Sequence, residues 1–398
     1  MQTKLIFMRY NFDEIIPRRG TGSLKWDACP DPDVLPFWVA DMDFLTAQPI
    51  RQAIVRRAEH GIYGYAAVSE QYYDAVTDWF ASRHGWKIEK EWIVPVSGVI
   101  PGFAAAVGAY VPRGGKVLVQ SPAYNHFFIT LEQSGCEAVS AQLVRDGNTY
   151  RMDFDALEEK AADPDISLMI LCNPQNPVGR VWTREELLRV GEICLRNGVT
   201  VVSDEIHCEL TAPGRTYVPF ASVSEEAARN SIICCSPTKP FNMAGVKVAN
   251  MIIPDPDIRD RVRREAEMRE VAGVNPFGMD ALVAAYSEGG SEWLDELNIY
   301  INANFRYMRD FCMQYLPSFP IMELEGTYLV WMDCSALGMT SAALEEVLKS
   351  EARIWLNAGT MYGPGGEGFM RWNIACPRSV LAEGLRRFRE FVDKTGCR

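Results

Sequence analysis

Apolar positions along the chain follow two periods, and the changes from one to the other mark out its elements. A three-and-four spacing begins near Pro49 and runs through Ile54, Val55 and Ala58, which predicts a helix. Gly61-Ile62-Tyr63-Gly64-Tyr65 breaks it. A second helix is expected over 69–84, with Tyr72, Tyr73, Trp79 and Phe80 on its apolar positions. Residues 92–96 read as strand, 101–110 as helix, 116–120 as strand and 123–134 as helix. Ile166–Cys172 is apolar without alternation, as a strand covered on both faces must be. Residues 183–197 form the next helix, with Thr183 as N-cap and Glu186 three residues on. Residues 200–203 and Ser231–Cys235 are further buried strands, and 259–271 is a charged helix.

This alternation predicts an α/β lobe, residues 48–289, built on a mostly parallel sheet with helices on both faces. Beyond about Gly290 the pattern changes. A long helix runs through Tyr315, short strands follow at 328–332 and 369–374, and a last helix spans 379–394. Residues 290–398 therefore read as a smaller α+β lobe. The irregular segment 1–47, rich in Pro, Gly, Asp and Trp, is expected to join it and make that lobe discontinuous.

Composition narrows the function. The chain has 398 residues, 48% of them hydrophobic and 23% charged, ordinary proportions for a globular protein. Its net charge of −12 disfavours nucleic acid and anionic membranes as partners. Eleven cysteines lie scattered with no C-x-x-C pair, and the four histidines lack helix-face metal spacing. Reduced thiols in a cytoplasmic protein are the reading that fits, with no metal site expected. The N-terminal apolar stretch is too short for a secretory core, and no apolar run reaches the length of a membrane span.

Several polar residues then stand out because each follows an apolar strand. Lys239, in Ser236-Pro237-Thr238-Lys239, follows Ser231–Cys235. An amine held there can condense with an aldehyde and later move a proton. Asp204 follows the run ending at Ser203, and a carboxylate there can keep a pyridine nitrogen protonated. His207 either orients that carboxylate or is a packed core histidine. Asn176, in Asn173-Pro174-Gln175-Asn176-Pro177, can donate to a ring hydroxyl. The strand–helix turn at Ser97-Gly98-Val99-Ile100 offers free N–H groups to a phosphate, with Ser236, Thr238 and Lys247 adding hydroxyls and charge. Tyr124 can stack on a ring, and Arg371, flanked by Met370 and Trp372, can grip a carboxylate with its fork. Together these describe a pyridoxal 5'-phosphate (PLP) site.

The set Tyr63-Gly64-Tyr65, Asn176-Pro177-x-Gly179, Asp204-Glu205-x-His207, Ser236-x-x-Lys239 and Arg371 resembles fold-type I PLP enzymes of the aspartate aminotransferase superfamily. Pro36-Phe37-Trp38-Val39-Ala40-Asp41-Met42-Asp43-Phe44 is similar to the signature of the MalY/PatB group of carbon–sulfur β-lyases. The resemblance implies a seven-stranded sheet, a substrate pocket that includes Trp38 and Ala40, and cleavage of cystathionine or related cysteine S-conjugates. It also implies a homodimer with shared active sites, in which Tyr65 reaches the neighbour's phosphate. Lys239, Tyr124 and Asp204 are the expected catalytic residues. Two rival readings are an aminotransferase acting on an amino acid and a PLP-binding regulatory protein.

Overall fold

The computed structural model describes residues 9–396; most of the N-terminal stretch weighed above as a secretory segment lies outside them. At its centre is a seven-stranded sheet. Its strands are β1 Ile93–Val96, β2 Lys116–Val119, β3 Glu137–Ser140, β4 Ile166–Cys172, β5 Thr200–Asp204, β6 Ser231–Cys235 and β7 Ala249–Ile252. They lie in the order β1-β7-β6-β5-β4-β2-β3. Strand β7 runs antiparallel to both neighbours, and every other pairing is parallel.

Side-chain alternation explains why this sheet is covered on both faces. Leu168, Ile170 and Cys172 of β4 enter one core with Val202, Ile232 and Cys234. Met169 and Leu171 enter the other, with Val201, Ile233 and Cys235. Helix Val99–Tyr110 closes the first core through Phe103 and Ala106. Helix Arg184–Arg196 closes the second through Leu187, Val190 and Ile193. Its start is the expected capping box: the Thr183 hydroxyl accepts the Glu186 N–H at 3.2 Å, and Glu186 accepts the Thr183 N–H at 2.8 Å.

Several elements depart from the sequence reading. Strand β3 is half-exposed and carries Glu137 and Ser140, so its apolar signal is weak. Strand β7 contains Asn250, a fully buried polar residue whose side-chain oxygen accepts the Tyr72 hydroxyl at 2.8 Å. The charged helix expected over 259–271 runs Pro256–Met268 instead, since Asp255 caps the N–H groups of Asp257 and Ile258 and Pro256 fits the first turn. Helix Pro276–Ala285 is an addition.

A second, antiparallel sheet has β8 Leu329–Asp333, β9 Asn357–Ala358 and β10 Phe369–Asn373, with β10 in the middle. Helices Glu288–Tyr315 and Arg378–Thr395 pack with it in one core through Met308, Trp372 and Phe388. The N-terminal strand Leu35–Pro36 pairs in parallel with Ile354–Trp355. That pairing delivers the next residues, 38–44, to the junction of the two sheets. There Asn242, after β6, donates to the carbonyls of Met42 and Phe44, and Asn373 of β10 donates to those of Val39 and Asp41. No helix among the described residues is long and apolar enough to cross a membrane.

Removing the cap hydroxyl by Thr183→Ala is expected to destabilise the fold by about 1 kcal/mol. A lower midpoint of urea unfolding, followed by circular dichroism, checks this.

Candidate active site

A cavity of roughly 350 Å³ opens at the C-terminal ends of β1, β4, β5 and β6, where ligands gather in sheets of this kind. Its lining includes Ala40, Gly98, Val99, Ile100, Tyr124, Asn176, Asp204, His207, Thr238, Lys239 and Lys247.

The period-two rule decides what enters. Asp204 continues the face of Val202 and points into the cavity. Glu205 takes the opposite face, where it accepts from Ser203 at 2.7 Å, from the Phe220 N–H at 3.0 Å and from the Tyr217 hydroxyl. Burial lifts the Asp204 pKa to about 6, against the Ile206 N–H it accepts at 3.1 Å and the charge of Lys239. Such a carboxylate gains from a cationic N–H placed against it.

Lys239 sits in the loop after β6, and its Nζ donates to the Ala40 carbonyl at 2.6 Å. Burial, seconded by the charge of Arg371, presses its pKa down to about 8; Asp41 and Asp204 act the other way. The backbone here is held in an unusual form. Asn242 and Lys247 both adopt positive φ, at 51° and 56°. A non-glycine residue keeps that conformation only where its surroundings fix it.

Arg371, on β10, is buried, with no carboxylate paired to it among the described residues. One guanidinium NH2 group donates to the Asn176 side-chain oxygen at 3.1 Å and the other to the Trp38 carbonyl at 2.8 Å, while Nε finds no hydrogen-bond partner among those residues. Tyr362 lies under the guanidinium at 4.9 Å. Burial pushes the Tyr124 hydroxyl up to about 12, so it stays protonated. Burial, with the charges of Lys239 and Arg371, keeps His207 neutral, and its Nδ1 lacks a partner among the described residues. His207 lines the cavity, while Arg371 stands behind it and reaches the lining through Asn176.

Other predicted residues stand differently. Ser236 lies beneath the cavity and its hydroxyl donates to the Val248 carbonyl at 2.6 Å, so that proton is aimed away. Trp38 stacks on Trp355, with ring centroids 4.1 Å apart, and meets the site through its carbonyl. Tyr65 is fully exposed, in a segment without regular structure outside the cavity. Sequence reasoning overlooked Cys172 and Ile206 in the lining and Tyr328, whose hydroxyl donates to the Ala40 carbonyl at 2.9 Å. Cys172 ends the apolar run of β4, which was the available signal for it. Tyr328 had none, since its setting reads as core.

Residues 32–388 match the aminotransferase class I and II family. The chain belongs to this family. It is 43% identical to cystathionine beta-lyase PatB of Bacillus subtilis over 95% of this chain and 99% of that one. It is 31% identical to protein MalY of Escherichia coli, over 94% and 97% respectively. Its fold superposes on cystalysin from Treponema denticola, a structure that contains pyridoxal 5'-phosphate, with a TM-score of 0.94, 34% identity and coverage of 97% and 100%.

The residues present fit the PLP that the family uses. Lys239 offers the amine, Asp204 a partner for a pyridinium N–H, and the start of helix Val99–Tyr110 free N–H groups for a phosphate. Gly98 lines the cavity there with an extended φ of 170°, and Pro101 packs where a Cβ would stand.

In cofactor-free protein, labelling of Lys239 by trinitrobenzenesulfonate should rise with pH through a midpoint near 8, because burial favours the neutral amine. Peptide mass spectrometry reads the midpoint; an ordinary lysine value of about 10.4 would contradict the placement.

Proposed function

We propose that this protein is a PLP-dependent carbon–sulfur β-lyase that cleaves L-cystathionine or related cysteine S-conjugates, with one water, to a thiol, pyruvate and ammonia. The observation that carries the reading is the 43% identity to a cystathionine beta-lyase along nearly the full length of both chains. An aspartate aminotransferase from Pyrococcus horikoshii stands at 22%.

When bound, the cofactor supplies a ring that accepts the electron pair left as the Cα–H bond breaks. The remaining work falls to the chain. The α-carboxylate of the amino-acid substrate meets the Arg371 fork, whose free Nε and buried charge suit it. That grip orients the Cα–H bond toward Lys239. With a pKa near 8, the Lys239 amine is partly neutral at physiological pH and takes the Cα proton. Asp204 pairs with the ring N–H and keeps it cationic. The departing thiolate receives a proton from Lys239 or from Tyr124, both of which carry one at that stage. Asn176 donates its amide N–H to the ring hydroxyl, and His207 packs beside it as a neutral imidazole. Val99, Ile100, Thr238 and Lys247 hold the phosphate, with Ser236 supporting Thr238 by accepting its N–H at 3.0 Å. Ala40 and Tyr124 wall the substrate and restrict water, with Trp38 behind them lending its carbonyl to Arg371.

The exposed Tyr65 supports a homodimer in which this residue reaches the partner's phosphate. Of the described residues, we assign 48–289 to the cofactor lobe and 9–47 with 290–396 to the second lobe. The setting is cytoplasmic.

Purified holoenzyme given L-cystathionine, L-cystine or S-methylcysteine should yield pyruvate with no 2-oxo acid added, and Lys239→Ala should abolish it. Strict dependence on a 2-oxo acid acceptor would instead identify an aminotransferase. Arg371→Lys should raise KM about 10- to 100-fold, the loss of a buried charged hydrogen bond, in steady-state assays of pyruvate.

A further inference from the structure

The stretch from Pro36 to Phe44 carries two carboxylates, Asp41 and Asp43, that take no part in the chemistry above. Both belong to a four-charge cluster. The two NH2 groups of Arg18 donate to the Asp41 carboxylate at 3.2 and 2.8 Å, and one of them also to Asp43 at 2.8 Å. Lys25, its side chain wholly shielded from solvent, donates to Asp43 at 2.8 Å and stands 3.7 Å from Asp41. The Trp26 indole completes Asp43 at 2.8 Å. Burying charges this way does little for stability on its own and is better suited to fixing one arrangement.

What it fixes is visible in the backbone. Arg18 also donates to the Met42 carbonyl at 2.9 Å, and Lys25 to the Asp41 carbonyl at 3.3 Å. The carbonyl of Lys25 accepts the Trp38 indole N–H at 3.1 Å. Trp38 to Ala40 are thereby tethered at both ends. The carbonyls in between are those that meet Arg371 at 2.8 Å and Lys239 at 2.6 Å.

We infer that Arg18, Lys25, Asp41 and Asp43 are positioning residues of the active site, acting as one neutral cluster to set the Trp38 and Ala40 carbonyls against Arg371 and Lys239. The inference rests on the lyase reading for its reaction and on hydrogen bonds alone for its geometry. Directing one N–H of Lys239 at Ala40 restricts where the lone pair points, and small errors in such a geometry are costly in rate. Asp41 adds a charge term, since its carboxylate favours the ammonium form of Lys239. The other groups facing that amine are Arg371 on β10, Asp204 on β5, His207 in the turn after it, Tyr124 and His126 at the helix Asn125–Ser134, Tyr328 before β8, and Lys247 across the cavity.

Two variants test this, Asp41→Asn and Arg18→Met; the second alters a side chain that is one-fifth exposed and serves if the first does not fold. In Asp41→Asn the midpoint of Lys239 labelling in cofactor-free protein should fall below the wild-type value, and kcat per bound cofactor should drop about 10- to 100-fold. In Arg18→Met, kcat should drop similarly and the midpoint should not fall. Either fully loaded variant keeping kcat within about twofold overturns the inference, because a misplaced carbonyl costs more than that. So does an upward midpoint in Asp41→Asn, which loosening and water entry alone would produce. If wild-type protein forms no pyruvate from any S-conjugate, the lyase reading fails, and the labelling arm still decides the role of Asp41.

Discussion

A buried carboxylate lines the cavity and a buried guanidinium stands behind it on the lining residue Asn176, each carried by a different sheet, and neither neutralises the other. Asp204 ends β5 and Arg371 sits on β10. Each is shielded from water, and each is costly to keep ionised without a counter-charge. The fold holds them in place through neutral contacts. For Arg371 these are the Asn176 and Trp38 oxygens, and for Asp204 the Ile206 N–H. Such a pocket is completed by a guest that is cationic at one end and anionic at the other. A protonated pyridine carrying an amino acid answers both demands, which ties the electrostatics to the proposed chemistry.

That arrangement needs two independent scaffolds brought into register. The central sheet delivers Asp204, Asn176 and Lys239 because successive parallel strands end at one edge. The smaller sheet delivers Arg371. The segment 38–44 joins them, since it accepts hydrogen bonds from Asn242 on one side and Asn373 on the other. Its position is therefore a shared boundary condition for both halves of the site.

How much of this the sequence disclosed depended on locality. Ile166–Cys172 could be read to the residue because an unbroken apolar run needs no partner to be recognised. Thr183 and Glu186 announced a helix start through a reciprocal bond only three residues long. Lys239, Asp204 and Asn176 were legible since each lies at the end of a buried strand or in the loop that leaves one. What depended on distant residues was not. Asn250 lies in a strand, and its side-chain oxygen is met by Tyr72, far away in the chain. Ser236 reads in sequence as a donor to phosphate, and in the fold its hydroxyl donates to the Val248 carbonyl, a residue 12 positions on. Nothing local marks Lys25, since only the folded chain brings Asp43 to it.

The antiparallel return of β7 beside β6 has its own implication for robustness. The loop bearing Lys239 leaves the sheet at Cys235 and re-enters it at Ala249 on the adjacent strand, where Asn250 lies opposite Cys235. No crossover helix intervenes, so both stems of the loop are clamped by the same ladder. One tie reaches the helical layer as well: Asn275, before helix Pro276–Ala285, donates to the Val246 and Lys247 carbonyls of the loop at 2.8 and 3.2 Å. The segment that carries the reactive nitrogen is thereby held at its two stems and at a third point between them.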